Sequence, residues 1–170
     1  MAKIGIFYGT TTGTTETVAE TIQEKLGGSS VVTLHDIADA SDDDFADYKY
    51  LVIGSSTWDI GELQSDWGSF FDDLDSIDFN GKKVAYFGTG EQVGYSESFQ
   101  DAMGILEEKI SSLGGQTVGY WSTDGYEHDA SRADKGGKFV GLALDEDNQS
   151  DLTESRIQAW SSQLKSEFGI

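Results

Sequence analysis

The chain has 170 residues, with 11 Lys or Arg against 31 Asp or Glu, for a formal charge of −20. Such a surface argues against binding nucleic acid or an anionic membrane, since phosphate contacts are made by clustered cations, and it favours an electropositive partner. Proline and cysteine are both absent, and the missing thiols exclude disulfides, thiolate catalysis, Cys-ligated zinc and iron–sulfur clusters.

Strand and helix patterns alternate along the chain. Lys3-Ile4-Gly5-Ile6-Phe7-Tyr8 reads as a first strand directly behind Met1-Ala2; with no signal-peptide pattern, the expected location is cytoplasmic. Thr15 to Leu26 follows with Val18, Ile22 and Leu26 at fourfold spacing and Gly27-Gly28 as a stop, which predicts a helix. Val31-Val32-Thr33-Leu34 is a second strand, Asp42-Asp43-Asp44 a solvated helix start, and Tyr50-Leu51-Val52-Ile53 a third strand. Trp67, Phe70, Phe71 and Leu74 mark a helix, and a turn at Asn80-Gly81 leads to a fourth strand, Val84-Ala85-Tyr86-Phe87. Ala102, Leu106, Ile110 and Leu113 share one helix face. Thr117-Val118-Gly119-Tyr120 is a fifth strand, the polar stretch Ser122 to Lys138 an insertion loop, and Phe139-Val140-Gly141-Leu142 resumes a strand. A last helix starts near Asp151, with Glu154 as a capping-box-like partner and Ile157, Trp160, Leu164 and Phe168 as its buried stripe.

This alternation predicts an α/β domain over residues 1–170, an open parallel sheet covered on both faces. No apolar run reaches the length of a membrane span. In such a sheet ligands sit beyond the C-terminal ends of the strands, where strand order reverses. The chemistry should therefore lie in the loops after Tyr8, Ile53 and Phe87.

The first of these loops holds Gly9, Thr10, Thr11, Thr12, Gly13, Thr14 and Thr15 and runs into a helix. Glycines permit the tight turn, and the helix tip presents unpaired N–H groups at its positive dipole end. Hydroxyls in this number exceed what capping requires and predict a neutral cradle for a phosphomonoester. The loop lacks the Gly-Lys-Ser/Thr ending of a Walker loop and does not match the dinucleotide fingerprint. The second loop, Gly54-Ser55-Ser56-Thr57-Trp58-Asp59-Ile60-Gly61, and the third, Gly88-Thr89-Gly90-Glu91-Gln92-Val93-Gly94-Tyr95, each set one large aromatic among small residues. Trp58 and Tyr95 could sandwich a planar ligand. A phosphomonoester beside a flat heteroaromatic ring describes flavin mononucleotide (FMN).

The chain resembles the flavodoxins, especially the long-chain flavodoxins of cyanobacteria, along its whole length. The resemblance is carried by the Thr-rich loop, Thr57-Trp58, Gly61 to Trp67, Gly94-Tyr95, Phe99-Gln100-Asp101-Ala102 and Phe139 to Gln149. It implies a flavodoxin-like three-layer α/β/α sandwich with a five-stranded parallel sheet of order 2-1-3-4-5 and an insertion splitting the fifth strand. It implies that Thr10 to Thr15 hold the FMN phosphate and that Trp58 and Tyr95 stack on the ring. By the same resemblance Asp59, Ile60 and Gly61 together with Thr89, Gly90 and Glu91 supply backbone hydrogen bonds to the ring edge, Gln100 and Asp147 lie near the ring edge and ribityl chain, and Ser56, Thr57 and Ser98 are further cofactor-binding residues. It further implies a monomeric, low-potential one-electron carrier using the semiquinone/hydroquinone couple, with ferredoxin–NADP reductase and photosystem I as partners. The chain departs from the family at Ser55-Ser56, where a small residue or Cys and then Pro are usual, and at Asp59 and Ser98, where Asn is common.

Other motifs carry less. His35 and His128 are isolated and read as surface or loop residues. Asp145 to Asp151 faintly echoes a calcium loop but lacks the glycine and the closing glutamate. A response-regulator receiver would need acids after the first strand and a late Lys, which the loops do not supply. An FMN-dependent NAD(P)H:quinone reductase is the alternative on this scaffold, but no extra segment builds a substrate pocket, and the acidic charge would repel NAD(P)H.

Overall fold

A computed structural model of the chain describes residues 3–58 and 61–170. In chain order it forms β1 (Ile4–Tyr8), α1 (Thr14–Leu26), β2 (Val32–Asp36), β3 (Tyr50–Trp58), β4 (Glu62–Leu63) and α2 (Ser65–Phe70). There follow β5 (Lys83–Thr89), α3 (Asp101–Ser112), β6 (Gln116–Thr117), β7 (Trp121–Ser122), β8 (Lys138–Phe139), β9 (Leu142–Leu144) and α4 (Thr153–Phe168). The main sheet runs β2-β1-β3-β5, and its fifth position is shared by β6 and β9, all parallel. The insertion between β6 and β9 thus splits the fifth strand, as expected.

Alternation along the strands sends side chains to two cores. Ile4, Ile6 and Tyr8 join Val18, Ile22, Ile157, Trp160 and Leu164 under α1 and α4. Phe7, Leu51 and Ile53 join Phe45, Trp67, Phe70, Met103 and Ile110 under α2 and α3. This is the three-layer sandwich.

Several boundaries differ from the sequence reading. β3 does not stop at Ile53: residues 54–56 keep pairing with Phe87, Gly88 and Thr89, so most of the second loop is a strand projecting past the sheet. The helix expected through Leu74 ends at Phe70 and tightens into a 3₁₀ turn, Phe71–Ser76. The acidic start at Asp42 is also a 3₁₀ turn, Asp42–Asp47, closed by a capping box between Ser41 and Asp44. The Asp151–Glu154 box does not form. A 3₁₀ turn, Ser150–Leu152, precedes α4, and Thr153 Oγ1 donates to Glu146 instead.

The insertion is not structureless. Trp121 pairs antiparallel with Phe139, so Phe139 belongs to a small ribbon and the main sheet resumes only at Leu142. Its return segment packs tightly on α3. A Cβ at Gly104 would stand 2.5 Å from the Arg132 carbonyl carbon and 2.6 Å from the Ala133 nitrogen. Ala133 is fully buried there, and Glu108 pairs with both Arg132 and Lys135 at 3.0 Å.

Neither histidine is a free surface residue. His35 stacks on Phe7 with ring centroids 4.5 Å apart, and its Nε2 is 2.8 Å from the Tyr48 hydroxyl. Burial pushes its pKa below the ordinary 6.5, against the upward pull of Asp44 and Asp47. His128 packs between Phe99 and Phe139, with Nε2 3.2 Å from Asp134.

Candidate functional site

β1, β3 and β5 end side by side at the point where the chain reverses its direction across the sheet. A cleft of about 380 Å³ opens there, lined by Thr11, Thr12, Thr14, Thr15, Ser56, Thr57, Thr89, Gly90, Glu91, Tyr95, Ser98, Phe99, Gln100, Glu146 and Asp147. Thirteen of those fifteen residues were read from the sequence as site residues; Phe99 and Glu146 were not.

The hydroxyl side is built on the tip of α1. Gly13 sits at φ 91°, a left-handed conformation that turns the loop into the helix, with open space where a side chain would be. Thr10 does not line the cleft: its Oγ1 accepts from the Gly13 N–H at 3.0 Å and shapes the loop. Thr17 N–H closes the first helical bond onto the Gly13 carbonyl at 3.0 Å, so the N–H groups before it have no intrahelical acceptor. Thr15 is buried, with its hydroxyl 3.3 Å from that of Thr89 across the cleft floor. Thr12 and Thr14 hydroxyls lie 3.4 Å apart.

A residue not assigned from the sequence, Gln64, steadies this loop. It is fully buried; its Oε1 accepts from the N–H groups of Asp66 and Trp67, and its Nε2 donates to Thr11 Oγ1 at 3.2 Å. The hints in the sequence were its place just before a helix and within the Gly61 to Trp67 stretch that carries the resemblance.

The opposite walls come from the loops after β3 and β5. Thr57 Oγ1 accepts the Ala102 N–H at 3.1 Å, tying the projecting end of β3 to the start of α3. The pairing of Trp58 with Glu62 folds the chain back on itself. Gly61, at φ 83°, faces the carboxylate of Asp101, whose pKa is raised by burial against opposing bonds from Arg132. The Trp58 side chain, Asp59 and Ile60 lie outside the described residues. Tyr95 is 51% exposed on the cleft rim. Glu91 braces its turn by accepting from the N–H groups of Val93 and Gly94 and from Asn148 Nδ2. Asp145 holds the loop of Asp147 in place. Burial alone would raise its pKa, but hydrogen bonds from Asn148 and Gln92 outweigh that and keep the carboxyl below its ordinary value.

The lining residues include three acids, Glu91, Glu146 and Asp147, and neither Lys nor Arg. Any anion held at the helix tip must therefore be held by hydroxyls, N–H groups and the helix dipole. At the far end Gln100, the one non-glycine residue with positive φ among the described residues, donates Nε2 to the Leu144 carbonyl at 3.0 Å. Its Oε1 is buried and accepts no hydrogen bond from the described residues. It lies against Gly88, where a Cβ would stand 2.1 Å from it. Among the described residues no group of acids and histidines is arranged to hold a metal ion, and no helix is long and apolar enough to cross a membrane.

A flavodoxin family model matches residues 6–160. The chain belongs to the flavodoxin family. It is 65% identical to the flavodoxin of Synechococcus elongatus, with both chains covered in full. It is 66% identical to a Nostoc flavodoxin, over 99% of this chain and 98% of the relative. Among solved structures, Fusobacterium nucleatum flavodoxin bound to flavin mononucleotide superimposes with a TM-score of 0.92 at 35% identity, covering 98% of this chain and 99% of that one.

Proposed function

We propose that the cleft binds FMN without a covalent bond and that the protein is a low-potential one-electron carrier. One observation carries the reading: hydroxyls and helix-tip N–H groups face, across a cleft without a cation among its lining residues, the loops that bear Gly90 and Tyr95. The Fusobacterium flavodoxin, bound to FMN on the same fold, supports it. Bound FMN supplies the electron-transfer chemistry, and the chain's residues do the rest. Thr11, Thr12, Thr14, Thr15 and the tip of α1 hold the phosphate, while Thr10 and Gly13 shape the loop. Trp58 and Tyr95 cover the ring faces, and Ser56, Thr57, residues 59–61, Thr89, Gly90 and Glu91 border its edge. Ser98, Gln100 and Asp147 reach the ribityl chain. Glu91, Glu146 and Asp147, with no cation among the residues lining the cleft, disfavour added negative charge there and so lower the potential.

The acidic surface selects electropositive redox partners, for which ferredoxin–NADP reductase and photosystem I are proposed, reached by a monomer in the cytoplasm. The purified protein should bind FMN and be bleached by NADPH only after a ferredoxin–NADP reductase is added. Transfer should slow as salt shortens the Debye length. Bleaching by NADPH alone would favour the quinone-reductase reading, and a chain that binds no added FMN would remove the cofactor assignment.

A further inference from the structure

Gln92 does not line the cleft, yet its buried amide joins the segments that do. Only 1% of it is exposed. Its backbone N–H and its Nε2 both donate to Asp145 Oδ2, at 3.0 and 2.8 Å, and Nε2 also donates to Gln149 Oε1 at 2.9 Å. Its Oε1 accepts the Glu127 N–H at 2.6 Å. Asp145, fully buried, turns its other oxygen to the N–H groups of Asp147 and Asn148, at 3.1 and 3.0 Å. Gln149 in turn accepts from Arg156 Nη1 at 2.8 Å and donates to the Gly125 carbonyl at 2.9 Å.

Three segments therefore meet at one side chain. One is the loop that carries Glu91 and Tyr95, and another is the loop that carries Glu146 and Asp147. The third is the insertion at residues 125–127. Both side-chain protons and the carbonyl of Gln92 are used, so the amide fits one arrangement of these segments, and losing it strands buried partners.

We infer that Gln92 is a positioning residue, locking the Glu91–Tyr95 wall of the cleft against the Glu146–Asp147 wall, with the insertion holding the lock. The inference rests on the FMN reading of the cleft. Because none of Gln92's hydrogen-bond partners belongs to the threonine loop, its loss should affect the ring and ribityl portion of the ligand and leave the phosphate contribution intact.

Gln92→Met keeps the volume and removes the side-chain bonds. In fluorescence titrations of the apoprotein it should weaken riboflavin and FMN by the same factor, about tenfold, and alter the visible circular dichroism of the bound flavin. Gln149→Ala, which leaves Gln92 bonded to Asp145, keeps the test open should the first variant not fold. It should weaken both ligands equally, by about twofold to threefold. Unchanged affinities in a variant whose only defect is a lower melting temperature would overturn the inference, as would a loss confined to FMN. A wild-type chain that binds neither ligand would overturn the cofactor reading and this inference with it. A wild type that binds both, with variants that bind equally well, would overturn the inference alone.

Discussion

Replacing Thr15 or Thr12 by Val removes a hydroxyl from the helix tip while keeping the shape of the side chain. If these hydroxyls hold a phosphate, each loss removes one hydrogen bond to a charged group, worth about 1.5–3 kcal/mol. FMN should then bind about tenfold to a hundredfold more weakly, with no cation among the lining residues to compensate. Riboflavin, which has the ring and ribityl chain but no phosphate, should bind as before. The two positions also separate binding from stability. Thr15 is buried and its hydroxyl meets that of Thr89 at 3.3 Å, so Thr15→Val should cost the apoprotein about 1 kcal/mol as well. Thr12 is exposed and makes only a 3.4 Å contact with Thr14, so Thr12→Val should leave the melting temperature unchanged. Titrating each apoprotein with both ligands, followed by quenching of flavin fluorescence, gives the comparison directly. Equal weakening of FMN and riboflavin, or no weakening of either, would refute the phosphate role.

Three further outcomes follow from the same structure. Raising ionic strength from about 0.01 to about 0.1 M, which shortens the Debye length from about 30 to about 10 Å, should tighten FMN and leave riboflavin unchanged, because a dianion approaches a chain of charge −20; weaker FMN binding in salt would reveal a cation at the site. Gly104→Ala sets a methyl 2.5 Å from the Arg132 backbone and should cost about 1–3 kcal/mol, with hydrogen exchange accelerated in residues 130–134; unaltered exchange would show that the insertion does not rest on α3. Burial lowers the pKa of His35 from 6.5, so the folded state prefers its neutral ring. Its contribution is complete above pH 6.5 and is lost as pH falls toward the lowered value. His35→Phe should therefore flatten the pH dependence of chemical unfolding just below pH 6.5, and an unchanged slope would place the histidine's environment in doubt.

The alternation of apolar strands with fourfold-spaced helix faces was enough to read the parallel sheet and both covering layers, while the split fifth strand was implied by the flavodoxin resemblance. The sheet and its layers depend on periodicity, which each segment carries alone. The threonine loop was legible for a similar reason: hydroxyls and glycines before a helix form a local device. Where β3 ends was not legible, because Gly54, Ser55 and Ser56 have weak strand propensity and are held extended by pairing with Phe87, Gly88 and Thr89. The same holds for Phe139, drawn into pairing with Trp121 rather than the main sheet.

Composition and pattern determined the acidic surface, the absence of thiol chemistry, the layered fold and the hydroxyl-rich loop ahead of the first helix. Only tertiary structure decided which buried amides brace the cleft, Gln64 at the threonine loop and Gln92 at the walls that carry Tyr95 and Asp147. Gln64 and Gln92 occupy unremarkable positions in the sequence, and their roles come from partners 53 residues away at Thr11 and Asp145. A glutamine's burial cost is met only by partners that folding brings to it from distant segments, and no local pattern records which those will be.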